Sequence, residues 1–398
     1  MFKSIRMRIG IDARFYGPVG KGLGRYTQEV VDNIIKINSA AGAEAFDYII
    51  FLGPANFDEF NIDDPHVKKV LIDCPWYGWK EQIFFPFHIW RARLDLIHFP
   101  HFNVPIFTPT KFVVTIHDLI LTHFPTVRAT TKSHILYYLK NFAYRLVILS
   151  ALWRSCRVIT VSEFTKSDII NKFKIDPNKI SVTYEGVANL AKGRDSLFVA
   201  KLNNQEILAQ YHIPHDFLLY VGNAYPHKNL ETLLKVFSRL RADKPELRLV
   251  LVGKTDYFYT RVQEVARALN LWQKGNVNSA VIFPGYVPDS QLEILYSEAQ
   301  AYIFPSLYEG FGLPPLEAMA KGCPVVSSNR ASLPEILSDA VIYFNPEDES
   351  DMLAKTELIL TDRAQRDELI RRGLAQAKKY NWWECANKTL LVYKEVLS

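Results

Sequence analysis

The strongest constraint on this 398-residue chain is an alternation of short apolar runs with longer stretches of helical spacing. In the first half the runs are Arg8–Asp12, Asp47–Leu52, Val67–Leu71, Asp95–Phe99, Phe112–Ile116, Arg157–Val161 and Ile180–Tyr184. In the second they are Phe217–Val221, Arg248–Val252, Val281–Phe283, Ala301–Phe304, Val325–Ser328 and Val341–Phe344. They are rich in Val, Ile and Phe and lack strict alternation, which suits parallel strands buried on both faces. Strands spaced by helices predict βαβ units in doubly wound sheets, an α/β fold. The pattern breaks at Ala188–Phe198, where Ala-Asn-Leu-Ala-Lys-Gly-Arg-Asp-Ser intervenes. The expected organisation is therefore a Rossmann-like domain over 1–193, a second over 194–375, and a C-terminal segment over 376–398. Within that segment, Tyr380–Leu397 reads as an aromatic-headed amphipathic helix.

Composition narrows the function. A chain with 48% hydrophobic and 22% charged residues is ordinary for a globular protein. The four cysteines, Cys74, Cys156, Cys323 and Cys385, form no Cys-x-x-Cys, so neither a disulfide framework nor a zinc site is expected. The opening Met1-Phe2-Lys3-Ser4-Ile5-Arg6 lacks the apolar core of a secretory signal. Charge is uneven: residues 1–195 hold 25 Lys+Arg against 18 Asp+Glu, and residues 196–398 hold 22 against 24. No acid lies between Asp118 and Glu163, where Arg128, Lys132, Lys140, Arg145, Arg154 and Arg157 all occur. A basic first half implies an anionic partner. No nucleic-acid-binding motif accompanies the charge, so nucleic acid is not expected.

The stretch Tyr308-Glu309-Gly310-Phe311-Gly312-Leu313-Pro314-Pro315-Leu316-Glu317-Ala318-Met319-Ala320-Lys321-Gly322 concentrates the chemistry. Proline suits a first helical turn and glycine a helix stop, which predicts a short helix over about 315–321. Glu309 then lies in a loop and Glu317 on the helix. Gly310 and Gly312 let backbone N–H groups approach a ligand, and a helix N-terminus attracts anions. An acid, a row of amides and a second acid suit a sugar, a diphosphate and a ribose in line; a solvated glycine turn is the plainer alternative. Upstream, Gly222-Asn223-Ala224-Tyr225-Pro226-His227-Lys228-Asn229 follows a strand, with Asn229 as candidate N-cap. A lysine at the head of a helix opposes the dipole unless an anion sits between them. Gly17-Pro18-Val19-Gly20-Lys21-Gly22-Leu23-Gly24 follows the first strand and fails the dinucleotide fingerprint Gly-x-Gly-x-x-Gly. His117 ends a strand, where ligands gather in open α/β sheets. His98 and His101 also follow a strand and are candidates for lining a binding cleft.

The region from Phe304-Pro305-Ser306 to Pro334-Glu335-Ile336 resembles the donor site of the retaining GT-B glycosyltransferases of family 4, the glycosyl transferases group 1. The looser match runs from Arg8-Ile9-Gly10-Ile11-Asp12 to the Trp382 helix. The resemblance implies a GT-B fold, two Rossmann-like domains facing a central cleft, with the terminal helix packed back on the first through Trp382, Trp383 and Tyr393. It implies Glu309 on hydroxyls of the transferred sugar and Glu317 on the nucleotide ribose. Lys228 would take the diphosphate, and Gly310, Phe311, Gly312 and Leu313 would offer amides. Asn223 stands where the family often has arginine. Gly20 and Gly22 would belong to a mobile loop over the diphosphate near the acceptor, and His117 would contact the transferred sugar through its ring and main-chain carbonyl. The cleft beside His98 and His101 would be the acceptor cleft.

Residues Gly222 to Asn229 look most like bacterial mannosyltransferases of surface-polysaccharide assembly, which points to GDP-mannose and a glycan or lipid-linked saccharide acceptor. A UDP-sugar transferase, a sugar-nucleotide epimerase and a non-catalytic glycan-binding homologue are the alternatives. No Asp-x-Asp occurs, so no metal or other cofactor is expected, the nucleotide sugar being substrate. The expected location is cytoplasmic, with peripheral contact at the inner face of the plasma membrane. The stretch 134–153 reads first as a helix docked on the sheet, with interfacial contact with anionic lipid as the alternative; the aromatic run from Trp76 to Trp90 suits that alternative or an acceptor-binding loop. Ser332-Leu333-Pro334-Glu335 reads as a structural capping box, and Val161-Ser162-Glu163-Phe164-Thr165 as a strand-to-helix cap.

Overall fold

The computed structural model describes residues 6–42, 45–125, 134–187 and 203–398. The expected boundary at 188–198 lies outside them. Strands occur at every predicted run: β1 (Arg8–Asp12), β2 (Asp47–Leu52), β3 (Val67–Leu71), β4 (Leu96–Phe99), β5 (Phe112–Ile116), β6 (Arg157–Thr160), β7 (Ile180–Val182), β8 (Phe217–Val221), β9 (Arg248–Val252), β10 (Val281–Gly285), β11 (Ala301–Phe304), β12 (Val325–Ser328) and β13 (Ile342–Phe344). Ends shift by a residue or two, where pairing gives way to loops. Asp95, for example, turns its side chain onto the Arg8 amide at 2.7 Å just before β4 begins.

Two compact units result, Met1–Gly186 with Asn381–Ser398, and Val187–Tyr380. The first holds a seven-stranded sheet in the order β3-β2-β1-β4-β5-β6-β7, the second a six-stranded sheet in the order β10-β9-β8-β11-β12-β13. Every ladder is parallel. Fully buried strands such as Phe112–Ile116 and Ala301–Phe304 explain the unbroken apolar runs. In each sheet the strand order reverses once, between β1 and β4 and between β8 and β11. Ligands of open α/β sheets bind outside the carboxyl ends of strands at such reversals.

In the first unit the last helix, Trp382–Leu397, lies against the helix Lys21–Ala40. Tyr393, fully buried, is hydrogen-bonded through its hydroxyl to His98 Nδ1 at 2.6 Å, and His98 Nε2 lies 2.8 Å from Thr115 Oγ1. His98 is thus a core bridge rather than a lining residue, and burial, with the His117 charge, pulls its pKa down to about 3. Trp382 is buried, whereas Trp383 is half exposed. Gly186 is required by a close crossing, since a Cβ there would meet the Trp382 backbone nitrogen at 2.2 Å. Among the described residues no helix is long and apolar enough to cross a membrane.

Candidate active site

In the second unit, β8 and β11 deliver two loops to the reversal point. From β8 the chain passes through Gly222 and Asn223 into a short turn, Pro226–Lys228, before the helix Leu230–Asp243. From β11 it passes through Ser306 to Glu309 and then the helix Leu313–Ala320. Leu307 N–H donates to the His227 carbonyl at 2.7 Å and ties the loops together. Across them Lys228 Nζ donates to Glu309 Oε1 at 2.6 Å, both side chains only about a tenth exposed. The ammonium also lies 5.5 Å from the Phe304 ring centre. His227, beneath, is kept neutral by burial and by the Lys228 charge, its pKa down to about 4.

The β8 loop is held by tyrosine hydroxyls. Tyr220 donates to the Asn223 carbonyl at 2.7 Å, Tyr259 to the Gly222 carbonyl at 2.8 Å and Tyr302 to the Val221 carbonyl at 3.1 Å. Asn223 Oδ1 accepts from the Tyr225 amide at 3.3 Å, an Asx turn. Asn229 starts the following helix in a left-handed conformation, φ 59°, but does not cap it. Its side-chain Nδ2 donates instead to the Pro346 carbonyl at 2.9 Å.

The helix carrying Glu317 begins at Leu313, two residues before the expected start, because Gly312 at φ 104° already turns the chain. A Cβ at Gly312 would come within 2.9 Å of Leu333. Gly322, at φ 73°, follows its end. Glu317 is buried one turn in and accepts from Tyr296 Oη at 3.3 Å. The first four helix positions are Leu313, Pro314, Pro315 and Leu316, so only the leucines carry an N–H. The dipole remains, yet half the usual anion donors are missing. This places more of any anion's neutralisation on Lys228.

Ser332 is the residue that sequence reasoning misread. It forms no side-chain cap. Its hydroxyl, fully buried, lies 3.0 Å from the Glu309 carbonyl and 3.1 Å from the Phe311 carbonyl. It braces the loop that presents Glu309 and the Gly310 to Leu313 amides. A Ser-x-x-Glu pattern carries no signal for that contact, which depends on two segments more than twenty residues apart.

In the first unit His117 follows β5. Nδ1 lies 3.0 Å from Glu185 Oε1 and Nε2 2.9 Å from the Pro100 carbonyl. Both partners only accept, so the ring donates from both nitrogens and is the cation. Burial works against that charge; the Glu185 hydrogen bond and charge, with the Pro100 carbonyl, outweigh it and raise the pKa. Tyr26 packs edge-on to the ring at 4.4 Å. The His117 carbonyl accepts from Thr165 Oγ1 at 3.2 Å, and Ser162 caps the next helix through the Thr165 amide at 3.1 Å, as its sequence pattern suggests. Glu185 was not foreseen, since it sits in a short post-strand segment with no motif.

The glycine segment of the first unit is not a loop throughout. Pro18–Gly20 is one 3-10 turn and the helix Lys21–Ala40 begins immediately after it, so Gly22 and Gly24 are helical. A Cβ at Gly20 would meet the Phe15 carbonyl at 2.2 Å, and one at Gly24 the Gly17 carbonyl at 2.0 Å. Gly22 faces open space, with nothing within 4 Å. Nearby, Asp12, Arg14 and Glu81 form a buried ion cluster without any sequence signature. Arg14 donates to Asp12 Oδ1 and Oδ2, both at 2.7 Å, and to Glu81 Oε1 at 2.5 Å. Asn103 and the Tyr77 amide satisfy Glu81 Oε2, at 2.7 and 2.9 Å.

Two family models match the sequence, glycosyl transferases group 1 over residues 204–376 and glycosyltransferase family 4 over residues 48–188. The chain is 32% identical over 301 residues to the O-antigen chain mannosyltransferase B of Escherichia coli, covering 75% of this chain and 74% of that protein. It is 29% identical over 275 residues to the O-antigen chain mannosyltransferase RfbU of Salmonella typhimurium, covering 67% of each. Among solved structures it is similar to a sucrose-phosphate synthase from Thermosynechococcus elongatus, with a TM-score of 0.73 and 21% identity over 98% of this chain and 99% of that one. That last likeness is one of fold.

Proposed function

Since the chain belongs to the family 4 glycosyltransferases, the glycosyl transferases group 1, we propose that it moves a mannosyl residue from GDP-mannose to a glycan or lipid-linked saccharide. The chain is a glycosyltransferase with relatives named as O-antigen mannosyltransferases. The donor, the acceptor and the stereochemistry are our reading. The observation that carries it is the Lys228–Glu309 pair at the β8/β11 reversal with Glu317 on the adjoining helix.

In this reading Lys228 turns from Glu309 to the donor diphosphate, and its charge stabilises the phosphate as it leaves. Glu309, released, faces the sugar hydroxyls and the positive charge that develops at the anomeric carbon. Glu317 takes the ribose. The bond from anomeric carbon to phosphate oxygen breaks, a bond from that carbon to the acceptor oxygen forms on the same face, and the acceptor proton passes to the leaving phosphate. The anomeric configuration is retained and no metal ion is needed. His117 is a positioning residue here, its ring committed to Glu185 and Pro100. Acceptor chemistry of this kind would bring the protein to the cytoplasmic face of a membrane.

Incubation with GDP-mannose and lipid-linked saccharides, with NMR of the product's anomeric coupling, tests the proposal. Release of GDP with a product of the donor's configuration is expected. An inverted product overturns the mechanism, and transfer from a UDP-sugar alone overturns the donor.

A further inference from the structure

We propose that the first unit docks on an anionic lipid bilayer through one face of its sheet, formed by the helices Trp79–Ala92 and His134–Arg154. The proposal deepens the reading above, on which it rests only in that the acceptor is lipid-linked. The first helix joins β3 to β4 and the second joins β5 to β6. Both crossovers run in the same direction along the sheet order, and right-handed crossovers of one direction lie on one face. The helix Lys21–Ala40 joins β1 to β2 in the other direction and covers the opposite face.

Each of the two helices buries one side and exposes the other. Phe85 and Ile89 of the first are fully buried, as are Ile148, Ala151 and Leu152 of the second. Exposed on the first are Trp79, Ile83, Phe87 and Trp90, at helical spacing, with Trp79 67% and Trp90 66% accessible. On the second they are Phe142, Leu146, Leu149 and Trp153, with Phe142 61% and Trp153 62% accessible. The loop between β4 and β5 links the stripes. Ile106 N–H donates to Gln82 of the first helix at 2.9 Å, and Arg154 of the second donates to the Thr108 carbonyl at 3.1 Å. Phe107, between those contacts, is 81% exposed.

Large apolar side chains gathered and exposed on one face of a globular protein mark an interaction site, and the charge around them selects the partner. Lys80, Arg91, Arg145 and Arg154 are exposed on the two helices. The second helix has no acidic residue, and the single acid of the first, Glu81, is buried on Arg14. Tryptophans beside lysine and arginine, on helices that do not span, are the chemistry of interfacial insertion into anionic lipid. The Arg14–Glu81 contact clips the first stripe to the end of β1, so the surface is presented rigidly.

Co-sedimentation with vesicles of phosphatidylglycerol and phosphatidylcholine, against phosphatidylcholine alone, tests this on the whole chain. The variants are Phe87→Ser with Trp90→Ser, Phe142→Ser with Leu146→Ser, and Arg91→Gln with Arg145→Gln. Nucleotide binding and thermal melts on the same preparations report on the donor site and the fold. Wild type is expected to sediment with the anionic vesicles, less so at high salt, and each double variant to partition about tenfold more weakly with melting and nucleotide binding kept. Absence of wild-type binding, equal binding to neutral vesicles, or full binding by folded variants would overturn the proposal. So would a wild-type dimer that the stripe variants abolish, since a second copy would then cover the face. Vesicle binding by a protein that transfers no mannose would overturn the donor reading and leave the docking surface standing.

Discussion

Lys228 Nζ stands 2.6 Å from Glu309 Oε1, each residue at the mouth of one of the two strands that flank the sheet reversal in the second unit. Each neutralises the other in a nearly enclosed setting, where an unpaired charge is costly. A donor diphosphate offers the lysine a replacement anion, and the sugar hydroxyls offer the carboxylate replacement partners. Donor binding therefore exchanges partners rather than creating a buried charge.

Separate losses follow for the two members. Glu309→Gln should lower turnover by about a hundredfold while leaving nucleotide affinity largely intact, as expected for a group acting on the transition state. Lys228→Ala should weaken GDP binding by roughly ten- to a hundredfold, the worth of a hydrogen-bonded charge. Steady-state kinetics beside nucleotide titration separates the two.

Ser332→Ala should cost about 1 kcal/mol of stability, the scale of one buried hydrogen bond. Turnover should fall further than that loss explains, because the loop presenting Glu309 loses its brace. Ser332→Thr should recover much of both. Equal turnover in folded Ser332→Ala protein would remove the bracing role.

The two helical glycines should respond oppositely. Gly24→Ala would drive a Cβ to 2.0 Å from the Gly17 carbonyl and should destabilise by about 1–3 kcal/mol, the cost of overpacking. Gly22→Ala meets nothing within 4 Å and should stabilise by about 0.5–1 kcal/mol through helix propensity. Denaturant midpoints for both variants check the pair.

Stability should decline on both sides of neutrality. His98 and His227, buried, with pKa values of about 3 and about 4, and His101, half-buried, at about 3, are held neutral. Their contribution is present above the unfolded imidazole value, about 6.5, and is lost as pH falls below it. His117 has the opposite sign. Its folded pKa is raised, so its contribution is full below about 6.5 and is lost as pH rises through the raised value. Melts of wild type and Glu185→Gln should differ most near the acidic end and converge at alkaline pH.

Much of this was legible in the chain. Buried parallel strands need unbroken apolar runs, and those runs mark all thirteen strands among the described residues of the GT-B fold. The loop of Glu309 and the helix of Glu317 were readable because glycine and proline signal locally. What escaped depends on contacts between distant segments. Ser332 resembles a cap until the Glu309 loop is folded over it, and Glu185 has no motif to announce its contact with His117. The glycines at 20 and 24 look like a ligand loop, although the backbone they approach is their own.

The central claim, that Lys228 and its neighbours hold the diphosphate of GDP-mannose, is tested most directly by calorimetric titration of GDP, GDP-mannose, UDP and UDP-glucose into wild type and Lys228→Ala. Selective binding of the guanosine nucleotides, weakened by the substitution, is the expected result. Binding of the uridine nucleotides instead, or guanosine binding that ignores Lys228, would contradict it.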